Sequence, residues 1–154
     1  MPEIRRASTE ADLDAARRLF RSYAESLDFE LDFQDFEAEL AALPGPYASP
    51  DGAILLAEID GAPVGIVAVQ PLGDDACEMK RLYVTPDHRN QGIGRALASA
   101  IVEEARTLGY DVMRLDTVAS MTAARRLYWS LGFEEREAYY HNPLDDAVYM
   151  ERPL

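Results

Sequence analysis

Residues 84–105 read VTPDHRNQGIGRALASAIVEEA, and this stretch decides how the chain folds around its candidate site. An extended run stops at a proline, and an amphipathic helix begins directly after two glycines, Gly92 and Gly94. Glycine lets a ligand approach the backbone closely, and the first amides of a helix lack internal partners and favour an anion. Arg89 and Arg95 flank this start and can donate charge-assisted hydrogen bonds to phosphate oxygens. The stretch therefore predicts a binding site for a pyrophosphate group.

Three anion-binding motifs compete for this stretch. A P-loop requires Lys and then Ser or Thr after its last glycine, whereas the chain has Arg95 and Ala96. A Rossmann fingerprint requires Gly or Ala where the chain has Leu97. It also requires a first glycine directly after a strand, whereas the glycines here follow Val84 only after several residues. The third motif, Arg/Gln-x-x-Gly-x-Gly/Ala, matches residues 89–94, so the sequence favours it.

The composition is that of an acidic chain with one domain. The 154 residues, 48% hydrophobic and 28% charged, predict a single domain over 1–154. A net charge of −13 argues against nucleic-acid and membrane partners; it either only provides solubility or would also attract a cationic small molecule. The N-terminus lacks a secretory signal pattern, and charged residues interrupt the longest apolar region. Cys77 is the sole cysteine, which excludes an internal disulfide and favours a cytoplasmic location. Because there is one cysteine and the two histidines are far apart in the sequence, we expect no metal site.

The periodicity of the chain predicts the element order β-α-α-β-β-β-α-β-α-β-β. Thr9 and Asp12 form a capping box for the first helix, and residues 28–43 are predicted as the second. An Asp-Gly turn at 60–61 predicts a hairpin, and an Asn-Pro turn is expected between the two terminal strands. This order predicts an α/β (α+β) domain with a mixed, mostly antiparallel sheet flanked by helices. The helix at 94–108 should cross over between parallel strands.

Two blocks of this sequence resemble the GNAT superfamily of acetyl-CoA-dependent N-acyltransferases. EMKRLYVTPDHRNQGIGRAL (78–97) carries the core of the resemblance, and AARRLYWSLGF (123–133) supports it downstream. The resemblance covers residues 53–133. It implies transfer of an acyl group, most often acetyl, from CoA to a primary amine of a small molecule or peptide. Relatives perform this transfer by direct attack in a ternary complex, with acetyl-CoA as cosubstrate.

The resemblance also implies where acetyl-CoA binds. The pantetheine arm is expected to pair with the backbone of Leu82 and Val84 like an extra strand, because open edge groups need partners. The amides expected to meet the pyrophosphate oxygens belong to Arg89, Asn90, Gln91, Gly92, Ile93, Gly94, Arg95 and Ala96.

Three groups are expected to carry the chemistry by the same resemblance. Tyr128 is the candidate donor to the departing thiolate; alternatively, it only packs on its amphipathic helix. Glu78 is the candidate base, and in an unbroken strand it points to the same face as Leu82 and Val84. The alternative for Glu78 is a structural ion pair with Lys80 or Arg81. The Val84 amide is the expected donor to the oxyanion.

One position departs from the family pattern. Met121 stands where relatives often have an Asn that contacts the pantetheine arm. Ser120 could replace that contact or simply cap the helix, and Asp116 and Thr117 either line the same cleft or form a solvated strand end.

The acceptor is expected to meet the first two helices and the C-terminal segment YYHNP (139–143). Acids mixed with aromatics there favour a cationic amine, although such charges can also be a solvated face. The residues concerned are Asp28, Phe29, Glu30, Asp32, Phe33 and Asp35. His88 and His141 could act as bases or be structural. The apolar C-terminal strands could support a homodimer.

Two other functions remain open from the sequence. A non-catalytic acyl-CoA sensor would keep the glycine-rich site and lose turnover, and Met121 favours it. A Rossmann-type nucleotide-binding domain is the second alternative.

Overall fold

The elements follow one another in the predicted order. The computed structural model describes residues 2–27, 35–73, 75–140, 142, 144 and 146–154. Within these ranges the strands are β1 (Glu3–Arg6), β2 (Ala53–Ile59), β3 (Ala62–Pro71), β4 (Ala76–Val84), β5 (Val112–Val118), β6 (Glu134–Arg136) and β7 (Ala147–Pro153). The helices are α1 (Glu10–Ser26), α2 (Phe36–Ala42), α3 (Ile93–Leu108) and α4 (Thr122–Ser130).

The strands form one mixed sheet in the order β1-β2-β3-β4-β5-β7-β6. Among the described strands, β4 and β5 pair in parallel and every other neighbouring pair is antiparallel. A parallel pair needs a crossover connection, and α3 supplies it as predicted. The mostly antiparallel sheet is confirmed, and it contradicts the Rossmann-type alternative, whose sheet is mostly parallel.

The first helix begins with the predicted capping box. The Asp12 amide donates to Thr9 Oγ1 at 3.1 Å, and the Thr9 amide donates to Asp12 Oδ2 at 3.2 Å. The second helix is shorter than predicted in the described part of the chain, because Asp35 has φ +53 and α2 begins after it. Residues 28–34 of that prediction lie outside the described residues.

The strand connections are set by local turn chemistry. Asp60 and Gly61 have φ values of +51 and +80, which is the type I′ geometry that an Asp-Gly turn favours between two strands. This hairpin is confirmed. The expected Asn-Pro turn does not directly join β6 and β7, because β6 ends at Arg136 and β7 begins at Ala147.

Each face of the sheet carries its own apolar core. One core lies under α3 and α4, and the other lies under α1 and α2. Gly65 permits the close approach of α3, because a Cβ there would lie 2.8 Å from Leu97 Cδ1. Among the described helices, none has the length and apolar character needed to cross a bilayer.

Candidate active site

A cleft opens in the sheet where β4 and β5 separate. Their pairing covers Ala76–Glu78 and Val112–Arg114 and goes no further in the described strands. Beyond it lies a cavity of about 530 Å³, with walls from both strands, α1, α4 and the β6–β7 connection. Residues from both faces of the sheet line the cavity, among them Tyr23 of α1 and Tyr128 of α4. A ligand bound on the α3 side can therefore meet a second ligand bound on the opposite side.

A β-bulge in β4 shapes one wall of the cleft. Arg81 and Leu82 together stand opposite Val67 of β3, and Arg81 has φ +62. The Arg81 guanidinium donates to Glu39 of α2 at 3.2 and 3.0 Å and lies 5.2 Å from the centre of the Phe36 ring. A bulge bends its strand and disrupts the regular ladder, and here α2 holds it in place.

The bulge overturns the expectation that Glu78 shares a face with Leu82 and Val84. The additional residue places Leu82 and Val84 on the face of Met79, against the core under α3. Glu78 therefore points to the opposite face of the sheet.

Hydrogen bonds hold the Glu78 carboxylate behind the cleft wall. Gln70 Nε2 donates to Oε1 at 2.7 Å, and the Tyr139 hydroxyl donates to Oε2 at 2.6 Å. Lys80 Nζ lies 3.9 Å from Oε1, which is the ion pair of the alternative interpretation. Glu78 is 4% exposed, and Lys80 rather than Glu78 lines the cleft. The carboxylate reaches the cavity only through its neighbours.

The start of α3 presents a row of backbone amides. Asn90 and Gly92 adopt positive φ angles of +63 and +81, and the helix begins at Ile93. No acceptor among the described residues receives the amides of residues 90–95. Fewer amides are free than expected. The Ala96 amide donates to the Gly92 carbonyl at 3.0 Å, and the Arg89 amide donates to the Pro86 carbonyl at 3.4 Å.

The space beside this row is kept open by Gly94. A Cβ at Gly94 would lie 3.9 Å from both Val84 Cγ2 and Leu127 Cδ2, so it would project between β4 and α4 without a clash. The missing side chain is therefore not required by packing. It leaves room for a ligand whose phosphates contact the amides and whose remainder runs toward the cleft.

The two flanking arginines lie near the row but hydrogen-bond to the protein. Arg89 Nε donates to the Val84 carbonyl at 3.0 Å, and its guanidinium lies 5.5 Å from the centre of the Tyr83 ring. Arg95 Nη2 donates to Ser130 Oγ at 2.7 Å. Both contacts are exposed, so either guanidinium can exchange its partner for an anion at little cost.

Tyr128 presents its hydroxyl to the cleft. The residue is 8% exposed, and its ring packs edge-on against Phe133 with centroids 5.9 Å apart. Its hydroxyl has no hydrogen-bond partner among the described residues. It is nevertheless not a fully buried unpaired atom, since Tyr47 Oη is the one such side-chain atom in the described part of the chain, and Tyr128 lines the cavity. The Tyr128 hydroxyl is therefore accessible from the cavity. Burial raises the pKa of this phenol above its usual value, so it stays protonated.

The β6–β7 connection, which contains the segment YYHNP expected to meet the acceptor, contributes Asn142 to the cleft. The Tyr140 hydroxyl and Asn142 Nδ2 both donate to Asp116 Oδ2, and Asp116 and Asn142 line the cavity. Rings of Tyr139, Tyr140 and Tyr149 pack together at centroid distances of 5.3–5.7 Å. The two adjacent tyrosines at 139–140 drew attention to this segment, but the sequence alone could not show that Tyr140 bonds to Asp116.

The segment before α4 resolves the alternatives for Ser120. Met121 occupies the N-cap position and no side chain caps the helix, so Ser120 lines the cleft without capping. The Thr117 hydroxyl donates to Met121 Sδ at 3.4 Å, and Asp116 and Thr117 are both cleft residues rather than a solvated strand end.

The remaining acceptor-side candidates fall elsewhere. Asp35 is exposed at the start of α2, and His88 pairs its Nδ1 with Thr85 Oγ1 at 3.0 Å; neither lines the cleft. Residues 28–33 and His141 lie outside the described part of the chain. Within that part, no group of His, Cys, Asp and Glu is arranged to hold a metal ion.

Comparison with known proteins gives consistent matches. The profile of the Acetyltransferase (GNAT) family matches residues 8–133. An uncharacterized N-acetyltransferase of Schizosaccharomyces pombe is 42% identical over 141 residues, covering 90% of this chain and 86% of that protein. A Klebsiella pneumoniae structure assigned as an acyl-CoA N-acyltransferase shares 29% identity with a TM-score of 0.74, covering 100% of this chain and 98% of its own.

A further solved structure supports the fold alone. It is an acetyltransferase of Salmonella typhimurium with its cofactor acetyl-CoA, 23% identical with a TM-score of 0.76. The match covers 99% of this chain and 94% of that one.

Proposed function

The chain belongs to the Acetyltransferase (GNAT) family and is an acyltransferase, and from this premise we propose that it moves an acetyl group from acetyl-CoA to a primary amine of a small molecule or peptide. The observation that carries the proposal is the row of amides at Asn90–Arg95, which have no acceptor among the described residues and directly follow Arg89, a residue that lines the cleft. The expected cytoplasmic location and a homodimer are part of the same proposal.

The residues present fit acetyl-CoA. Amides at a helix start, with the positive end of the α3 dipole, favour a diphosphate, and Arg89 and Arg95 can add charge-assisted bonds. Gly94 leaves a passage between Val84 and α4. Past Glu78, the edge of β4 that faces β5 lacks a strand partner in the described chain, so it can pair with an amide-bearing arm. The Salmonella typhimurium acetyltransferase holds acetyl-CoA on the same fold.

The protein groups then act on the thioester in sequence. The Val84 amide donates to the carbonyl oxygen as that oxygen gains charge. Tyr128 donates its proton to the departing sulfur; because a phenol is a weaker acid than a thiol, this transfer is coupled to cleavage of the C–S bond. Burial also raises the pKa of the Cys77 thiol to about 12, so Cys77 is not an enzyme nucleophile at neutral pH. Direct attack by the amine remains the mechanism.

Removing a proton from the acceptor requires a base. Glu78 is the candidate expected from the sequence, and from its position it acts only through Tyr139 or Lys80. A relay through the Tyr139 hydroxyl adds a step to each proton transfer, and Tyr139 does not itself line the cleft.

The test is release of CoA thiol from acetyl-CoA in the presence of a panel of acceptors. The panel contains polyamines, aminoglycosides, amino acids and short peptides. Acceptor-dependent thiol release with formation of the N-acetyl product is expected. Tight binding of acetyl-CoA without thiol release for any acceptor would instead support the sensor alternative.

A further inference from the structure

Asp116 of β5 faces the cavity from the wall opposite β4. Among the described residues that line the cleft, it is the one carboxylate. The cations there are Lys80, Arg81 and Arg89. Arg81 is paired with Glu39, and the other two sit on β4 and just beyond it. No cation of the described chain comes within 4 Å of the Asp116 carboxylate.

Neutral donors hold this carboxylate in one orientation. The Tyr140 hydroxyl and Asn142 Nδ2, the latter at 3.0 Å, both donate to Oδ2. Asn142 is itself oriented by the Leu144 amide, which donates to its Oδ1 at 2.8 Å. The Tyr149 hydroxyl donates to the Tyr140 carbonyl at 3.0 Å and so places the Tyr140 backbone. The arrangement fixes the side chain of Asp116 without neutralising its charge.

The second oxygen of the carboxylate is left for a ligand. Asp116 Oδ1 receives no donor from the described residues, although Asp116 is partly buried. Asp116 lines the cavity, and Oδ1 is not among the fully buried unpaired atoms of the described residues. A partly buried carboxylate that is bonded only to neutral groups is best satisfied by a cation supplied from solution.

We propose that Asp116 receives the acceptor as an ammonium ion and takes the proton that this ammonium must lose before attack. The inference rests on the proposed function and deepens it, since it assigns the acceptor site to the Asp116 face of the cleft. Asp116 meets the cavity directly, whereas Glu78 reaches it only through other side chains.

The protons and bonds balance with groups already named. An ammonium loses two protons when it becomes an amide. Asp116 takes the first as general base and passes it to water. The N–C bond then forms and the C–S bond breaks as Tyr128 protonates the sulfur. The second proton from nitrogen returns to Tyr128, so the products are the amide, CoA thiol and one proton.

The experiment compares Asp116→Asn with Asp60→Asn in the full chain. Both variants remove one negative charge, but Asp60 is exposed at the β2–β3 turn and does not line the cleft. Each is assayed for kcat/KM with an alkylamine found active on the wild type and with a hydrazide of the same skeleton, which is uncharged at neutral pH. Acetyl-CoA affinity is measured by calorimetry.

Asp116→Asn is expected to lower kcat/KM by at least ~100-fold for the alkylamine and by less than ~10-fold for the hydrazide, which needs neither ion pairing nor prior deprotonation. Its acetyl-CoA affinity should be unchanged, and Asp60→Asn should behave as wild type. Should Asp116→Asn fail to fold, Tyr140→Phe removes one donor to Oδ2 and should show the same acceptor dependence at smaller amplitude.

Three results would overturn the inference while leaving the proposed function intact. The first two are equal loss with both acceptors and no loss with either. The third is the expected pattern appearing in Glu78→Gln instead of Asp116→Asn, which would return the role to Glu78. If the wild type releases no CoA thiol with any acceptor, the proposed function and this inference both fail.

Discussion

Replacing Gly94 with Ala should separate ligand binding from stability. The new methyl would lie 3.9 Å from Val84 Cγ2 and Leu127 Cδ2, which is ordinary van der Waals contact, so the fold accepts it. Ala is favoured over Gly within a helix by up to ~1 kcal/mol, and the gain is smaller in the first turn where Gly94 lies. The unliganded variant should therefore be as stable as wild type or slightly more stable. The methyl, however, occupies the passage proposed for acetyl-CoA, and losing at least ~1.4 kcal/mol of binding weakens affinity at least ~10-fold.

Gly92→Ala is the matched control. A Cβ at Gly92 meets no atom within 4 Å, but the backbone has φ +81, where an L-residue is strained by about 1 kcal/mol. For a chain of this length that corresponds to a Tm lower by about 2–4 °C. The assay is thermal unfolding with and without acetyl-CoA, with calorimetry for affinity. Wild-type affinity in Gly94→Ala, or a Tm for Gly94→Ala that falls as far as that of Gly92→Ala, would refute the reasoning.

Three further outcomes are expected. Tyr128→Phe should lower kcat by ~100-fold and leave acetyl-CoA affinity intact; unchanged turnover would remove the proton-donor role. The pKa of Asp12 lies below its ordinary value because the Arg5 guanidinium and the Ser8 amide donate to its carboxylate, so its stabilising effect is present at neutral pH and is lost as pH falls. Asp12→Asn should thus lower Tm at pH 7, and its difference from wild type should shrink in acid; a constant difference would contradict this. Arg81→Met should lower the unfolding free energy in urea by ~3–5 kcal/mol, because Glu39 loses its partner in a buried pair, and Glu39→Gln in the same chain should restore part of it.

Features encoded by neighbouring residues were predictable from the sequence. The capping box at Thr9, the Asp60–Gly61 hairpin and the glycine-rich start of α3 each depend on a few adjacent positions whose backbone preferences agree. The element order and the mixed sheet followed from these local patterns. The family resemblance lay in the same segments, and it is confirmed by the profile match over 8–133.

Features set by distant contacts were not predictable. Arg81 in the bulge is bonded to Glu39, which lies 42 positions earlier, and the bulge places Leu82 and Val84 on the face opposite Glu78. Asp116 is oriented by Tyr140, which lies 24 positions later in the connection between β6 and β7. That connection has no regular pattern of apolar residues from which its path could be predicted. In both cases the polar side chain is bonded to a residue far away in the sequence, so no local pattern predicts the contact.

The most direct test of the account is an amide NMR titration of the protein with CoA. Contact between the diphosphate and the start of α3 predicts the largest shifts for the amides of residues 90–95, with smaller changes along Leu82 and Val84. Shifts centred on another surface, or no change at millimolar CoA, would contradict the account.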